Sequence, residues 1–92
     1  MAETESFRGV VRYFHPERAS GLAVVDLPAE VTQALGGLKQ VRVRGRLNGV
    51  DFRSNVMPAG NGVLALSLSR ALLASSALSV GDEVQVEVER DA

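Results

Sequence analysis

The sequence predicts a mainly β domain in which six short strands close into a barrel, accompanied by two short helices. Three observations carry this expectation. Residues 41–57 (VRVRGRLNGVDFRSNVM) read as a β-hairpin turning on Asn48-Gly49, and residues 83–90 alternate cleanly between valine and polar side chains. A strand–helix–strand unit also recurs weakly. It runs from Leu22 to Val43 and again from Leu64 to Val86, with fourteen positions from Leu27 to Val41 and sixteen from Leu68 to Val84. Two such halves packed about a pseudo-twofold axis form one barrel, and closure removes exposed edges. The 92 residues fit a single domain, residues 1–92, with an ordered core expected over residues 6–90.

Taken in order, Phe7 to His15 (FRGVVRYFH) is rich in aromatic and β-branched residues and reads as the first strand. Pro16 ends it, because proline cannot donate to a ladder, and Glu17 to Gly21 is a turn. Leu22 to Leu27 is a second strand, apolar on both faces and therefore central. Pro28 opens a helix of barely two turns, where Val31, Ala34, Leu35 and Leu38 have the spacing of one buried face. Gly36-Gly37 stops it, since glycine tolerates the positive φ of a C-cap.

The hairpin follows. A type I′ turn needs positive φ at both central residues, which Asn-Gly supplies, and it fixes the register: Leu47 faces Val50, Gly45 faces Phe52, and Val41 faces Val56. Alternation then puts Val41, Val43, Gly45, Leu47, Val50, Phe52 and Val56 on one side. Arg42, Arg44, Arg46, Asp51, Arg53 and Asn55 occupy the other. Slipping by one residue would bury four arginines. Met57-Pro58 closes the hairpin and Ala59 to Gly62 is a loop. Val63 to Leu68 is a strand with Leu64, Leu66 and Leu68 inward. Ser69 caps a second helix, Arg70 to Ala77, with Leu72, Leu73 and Ala77 inward. Val80-Gly81-Asp82 turns into the last strand, Glu83 to Arg90.

Val63 to Val80 is apolar enough to compare with a membrane span. Arg70 at its middle costs about 2.5–3.5 kcal/mol on insertion scales, and five serines interrupt it, so strand plus helix is the better reading. No leader is read in MAETESF, and the chain has no cysteine, which suits the cytoplasm.

The order and spacing of these motifs resemble a small bacterial family of unknown function, found alone or beside domains described as YdeI or OmpD-associated. Its pattern is a Val-x-Gly-x-Ile-Asn-Gly hairpin with an aromatic three residues on. A Pro/Gly loop, a short helix and a Gly-Asp-x-Val strand follow. Val43, Gly45, Leu47, Asn48, Gly49, Phe52, Pro58, Gly60, Gly62, Gly81, Asp82 and Val84 stand at those positions, with Leu47 where isoleucine is usual and a short loop at Ala59 to Gly62. The resemblance spans Phe7 to Arg90. It implies a double-split β-barrel similar to the AbrB and MazE type, and fold similarity of this kind transfers no function.

Four arginines on one ribbon face raise a local positive potential able to receive phosphate or carboxylate. The competing reading pairs them across strands with Glu83, Glu87 and Glu89, and a net charge of −1 favours that reading. Catalytic chemistry finds no support: His15 is the sole histidine, and no serine sits in a Gly-x-Ser-x-Gly elbow. Cofactors and metals are not expected. The expected role is therefore a binding or interaction module, its ligand-binding candidates Arg42, Arg44, Arg46, Arg53, Asn48, Asn55 and Asn61. Its partner is an anionic small molecule or a protein, and it acts as a monomer or homodimer. The alternative is an AbrB- or MazE-like DNA-binding or antitoxin-like dimer. Ten basic residues diluted by eleven acids, with Lys39 the only lysine, argue against it.

Overall fold

The computed structural model describes residues 4–15 and 21–91. Seven antiparallel strands and two short helices follow in the order β1 (Glu5–Val10), β2 (Arg12–Tyr13), β3 (Ala23–Asp26), α1 (Ala29–Ala34), β4 (Val41–Leu47), β5 (Val50–Pro58), β6 (Leu64–Leu68), α2 (Arg70–Ser75) and β7 (Glu83–Arg90). They form one sheet, ordered β1-β7-β4-β5-β6-β3-β2, curled into a half-barrel around a single apolar core.

The seventh strand corrects the expected count of six. The first strand is broken at Val11: residues before it pair with β7, and Arg12 and Tyr13 pair with β3. The two edges of the sheet are thus consecutive pieces of chain. Val11 itself is buried and ties the bend to the β7 turn, donating its N–H to the Asp82 carbonyl and accepting from Gly81. Gly9 marks the closest approach of the two ends, because a Cβ there would stand 2.5 Å from Val25 Cγ1 on β3. Arg12 clips the far edge. Its Nε and Nη2 donate to the two Asp26 carboxylate oxygens at 2.9 and 2.8 Å, and its Nη1 donates to the Tyr13 carbonyl at 3.0 Å. The hydrogen bonding to Asp26 raises the Arg12 pKa above its ordinary value. The expected ending at Pro16 and most of the turn after it lie outside the described residues.

The hairpin has the expected register at all seven pairs, from Leu47↔Val50 to Val41↔Val56. Asn48 and Gly49 both have positive φ, 49° and 84°, as a type I′ turn requires. The membrane-like stretch is β6 followed by α2, and no described helix is long and apolar enough to cross a membrane.

The helices depart more from expectation. Helix α1 stops at Ala34, leaving Ala34 exposed and Leu38 beyond the glycine stop and 55% exposed. Its buried face is Val31, Leu35 and Thr32. Thr32 is buried because its Oγ1 accepts the Leu64 N–H at 3.1 Å, joining the helix to the start of β6. In α2 the Ser69 Oγ accepts the Leu72 N–H, as expected of an N-cap. The expected inward Ala77 lies instead just past the helix end, exposed, with φ of 55°.

Both helices end in the same Schellman arrangement. Gly36 and Gly37 donate to the Gln33 and Thr32 carbonyls, and Ala77 and Leu78 donate to those of Ala74 and Leu73. The two helices lie 41 residues apart in sequence, from Ala29 to Arg70, so Ala77 occupies the place that Gly36 takes in α1. A left-handed alanine costs about 1–2 kcal/mol, which glycine avoids. Ala77→Gly is therefore expected to raise stability by about 0.5–1 kcal/mol after glycine's own unfolded-state entropy is subtracted. A rise in the urea midpoint at constant slope checks it.

Candidate ligand-binding face on the hairpin

The polar side of the hairpin is the outer face of the sheet, flanked by β7 beyond β4. Pairing β4 with β7 sets Arg44 opposite Glu89 and Arg46 opposite Glu87, while pairing with β5 sets Arg44 opposite Arg53 and Arg46 opposite Asp51. Cross-strand neighbours on one face lie within reach of each other, so the local charge pattern follows directly from the register.

Arg46 donates from Nε to Asp51 Oδ1 at 3.1 Å. Arg44 lies 3.5 Å from Glu89 and 3.9 Å from Asp91, and Arg53 lies 4.0 Å from Asp91. Apart from Arg46–Asp51, these are ion pairs without a hydrogen bond, and the arginine side chains are 49–78% exposed. Exposed pairs of this kind contribute about 0–1 kcal/mol each and leave most guanidinium N–H groups in contact with water.

The expected pairing of the arginines with the terminal strand therefore holds in part. Glu89 pairs with Arg44 and Glu87 lies opposite Arg46. Glu83 faces the other neighbour of β7 and sits 3.8 Å from Arg8. Asp91, just past the strand, supplies contacts that sequence reasoning missed. It is drawn in because its N–H donates to the Arg42 carbonyl at 2.9 Å, extending the β4–β7 ladder by one bond.

Two depressions lie on this face. The larger, about 700 Å³ and wide open, is bordered by Arg44, Arg46 and Arg53 and by Asp51, Glu87 and Glu89. Three cations meet three carboxylates, so it is close to neutral. The smaller, about 210 Å³, is bordered by Arg42, Arg53, Ser54, Asn55 and Asp91. Here two guanidinium groups and a side-chain amide meet one carboxylate. Arg42 makes no ion pair among the described residues.

The candidate residues are thus divided. Arg42, Arg53 and Asn55 come together, and Arg44 and Arg46 lie further along the same face. Asn48 is elsewhere, at the hairpin tip. Its N–H donates to the Gln85 carbonyl and its Oδ1 accepts the Gln85 N–H, both at 2.9 Å, so the side chain is committed to holding the tip against β7. Asn61 is exposed in the loop between β5 and β6, bordering neither depression. His15 packs its ring edge against Phe14 at 4.9 Å. No cluster of three or more metal-ligating side chains occurs among the described residues.

A family model matches residues 7–88, from within the first strand to within the last. The chain belongs to the family described as Domain of unknown function (DUF1905). The match spans the hairpin, both helices and β7, so the arginine-bearing face lies within the DUF1905 domain. A search of curated proteins finds no match.

Proposed function

We propose that this DUF1905 domain is a non-catalytic binding module that receives an anionic group on the outer face of its hairpin, with Arg42, Arg53 and Asn55 as donors. One observation carries the reading: the small depression bordered by these three residues has an excess of positive charge, while the larger cleft beside it is balanced. A volume of about 210 Å³ is below the roughly 300–1,000 Å³ of drug-sized ligand sites, so the occupant is a single phosphate- or carboxylate-sized group. Arg44 and Arg46 extend the field towards the approach, and Asn48 and Asn61 have no part in it. The protein is read as cytoplasmic.

The same proposal reads the curled sheet as a partly open barrel of the double-split, AbrB-like type. Its support is the exchange pattern of the strands. β5 pairs with β4 from Val50 to Val56 and with β6 from Val56 to Pro58, as the β1–β2 segment pairs first with β7 and then with β3. The DNA-binding alternative draws no support from the hairpin face, where carboxylates alternate with the arginines.

Thermal unfolding with inorganic phosphate, against chloride at matched ionic strength, tests the reading. A ligand at ten times its Kd stabilises by about 1.4 kcal/mol, which for a domain this size raises Tm by about 6–11 °C. Arg42→Glu is expected to abolish that rise while leaving the unliganded Tm within about 3 °C, since exposed substitutions rarely exceed about 0.5 kcal/mol. Arg44→Glu is expected to keep most of it. No phosphate-specific rise in the wild type refutes the proposal. Salt-dependent retention on duplex DNA replaces it with the DNA-binding reading.

A further inference from the structure

The hairpin carries a second feature, an unpaired strand edge, which shares only Arg53 with the anion site. On β4, Asn48 donates its N–H to β7 and Arg42 accepts from Asp91 just past β7, so even-numbered β4 residues face β7 and odd-numbered ones face β5. Antiparallel pairs alternate between hydrogen-bonded and non-bonded, and the two-residue turn makes Leu47↔Val50 the first bonded pair. Val50, Phe52 and Ser54 therefore spend their backbone groups on β4, whereas Asp51 and Arg53 direct theirs away from it. On that side β5 meets β6 only from Val56 to Pro58. β6 then diverges, and the Ser67 carbonyl is taken by the Ser54 hydroxyl. Residues 50–53 thus form an open edge whose two outward residues have side chains 87% and 78% exposed.

An open edge is a template for another strand, and the side chains here specify which strand. We propose that this edge pairs antiparallel with the same edge of a second copy of the chain, about a twofold axis through Phe52. That axis sets Asp51 opposite Arg53 of the second copy and Arg53 opposite its Asp51. Both positions are the outward-bonding ones, so backbone complementarity and charge complementarity coincide. The contact is isologous and closes at two copies.

The β1 edge of the sheet lacks this property. On β1, Val11 donates to Asp82, so Phe7 and Gly9 face β7 while Ser6 and Arg8 point away. A twofold axis through Phe7 sets Ser6 against Arg8, with no opposite charge to meet. The pairing proposed on β5 spans five residues, Val50 to Ser54, so the association is weak and concentration-dependent.

Sedimentation equilibrium of the full chain at low salt and millimolar concentration tests it. The wild type is expected to sediment as a reversible monomer–dimer system. Asp51→Arg and Arg53→Asp, each placing like charges opposite each other, are expected to weaken dimerisation at least tenfold. An equimolar mixture of the two single variants is expected to recover it, because every edge charge then finds its opposite. Circular dichroism matching the wild type verifies that each variant is folded. A strictly monomeric wild type, variants that dimerise as the wild type does, a mixture that fails to recover, or species larger than dimers would each overturn the proposal. Arg42 lies on the β7 side of the hairpin, so Arg42→Glu leaves the dimer intact, and the anion site and the edge can fail separately.

Discussion

Replacing Gly45 with alanine is expected to cost about 3 kcal/mol or more, the largest effect of any single methyl group added to this fold. Gly45 pairs with Phe52 on one side and Val88 on the other, in the middle of the β5-β4-β7 ribbon. A Cβ at Gly45 would overlap the Glu87 carbonyl, a backbone group of the adjacent strand. Overpacking usually costs about 1–3 kcal/mol because side chains turn aside. A strand carbonyl in a ladder cannot turn aside without losing its bonds. The substitution must therefore part β4 from β7 or distort both. For a domain of 92 residues, with a total stability of about 5–14 kcal/mol, this is a large fraction. Urea denaturation followed by circular dichroism checks it, and a loss below about 1 kcal/mol would show that the ribbon is looser than described.

Asp26→Ala is expected to cost about 1–2 kcal/mol. Asp26 receives two charge-assisted hydrogen bonds from Arg12, and removing it leaves the guanidinium bonded only to the Tyr13 and Phe14 carbonyls. Hydrogen bonds to charged groups contribute about 1.5–3 kcal/mol when buried, and both side chains here are about one-third exposed, so solvent screening reduces the figure. The sign of the pH effect follows from Arg12. Its pKa is raised in the folded state, so its contribution is fully present below the ordinary arginine value and is lost only as pH rises through the raised one. The Asp26→Ala loss is thus expected to be constant between pH 7 and 10. Arg12→Met combined with Asp26→Ala is expected to cost less than the two single losses summed, which a double-mutant cycle reads directly.

What was legible in the sequence is what local chemistry decides. Asn48-Gly49 admits one turn type, that turn admits one register, and all seven hairpin pairs follow. Val84, Val86 and Val88 alternate with polar residues, and β7 has the bounds that alternation implies. What depends on distant partners was not legible. Thr32 looks like an exposed helix residue until Leu64, 32 positions away, needs a partner for its N–H. The break at Val11 arises because the segment serves two strands at opposite edges of the sheet, and no local pattern marks it. Gly9 reads as an ordinary strand glycine until Val25 arrives beside it. At the candidate site the arginine row was legible, but the neighbours that neutralise it were only partly so. Sequence spacing pointed to Glu83 and missed Asp91, because which acids reach the row depends on the β4–β7 register, which runs from Val86 to Arg90 and leaves Glu83 beyond the hairpin tip.

The claim on which the functional account rests is that the positive excess lies at Arg42, Arg53 and Asn55 and not along the whole arginine row. Titrating the protein with inorganic phosphate at constant ionic strength, while following arginine side-chain Nε resonances by NMR, tests it directly. Saturable shifts at Arg42 and Arg53 with a shared Kd, and only small changes at Arg44 and Arg46, are the expected result. Equal, non-saturating shifts at all four arginines would contradict it and leave the face a charge-paired wall.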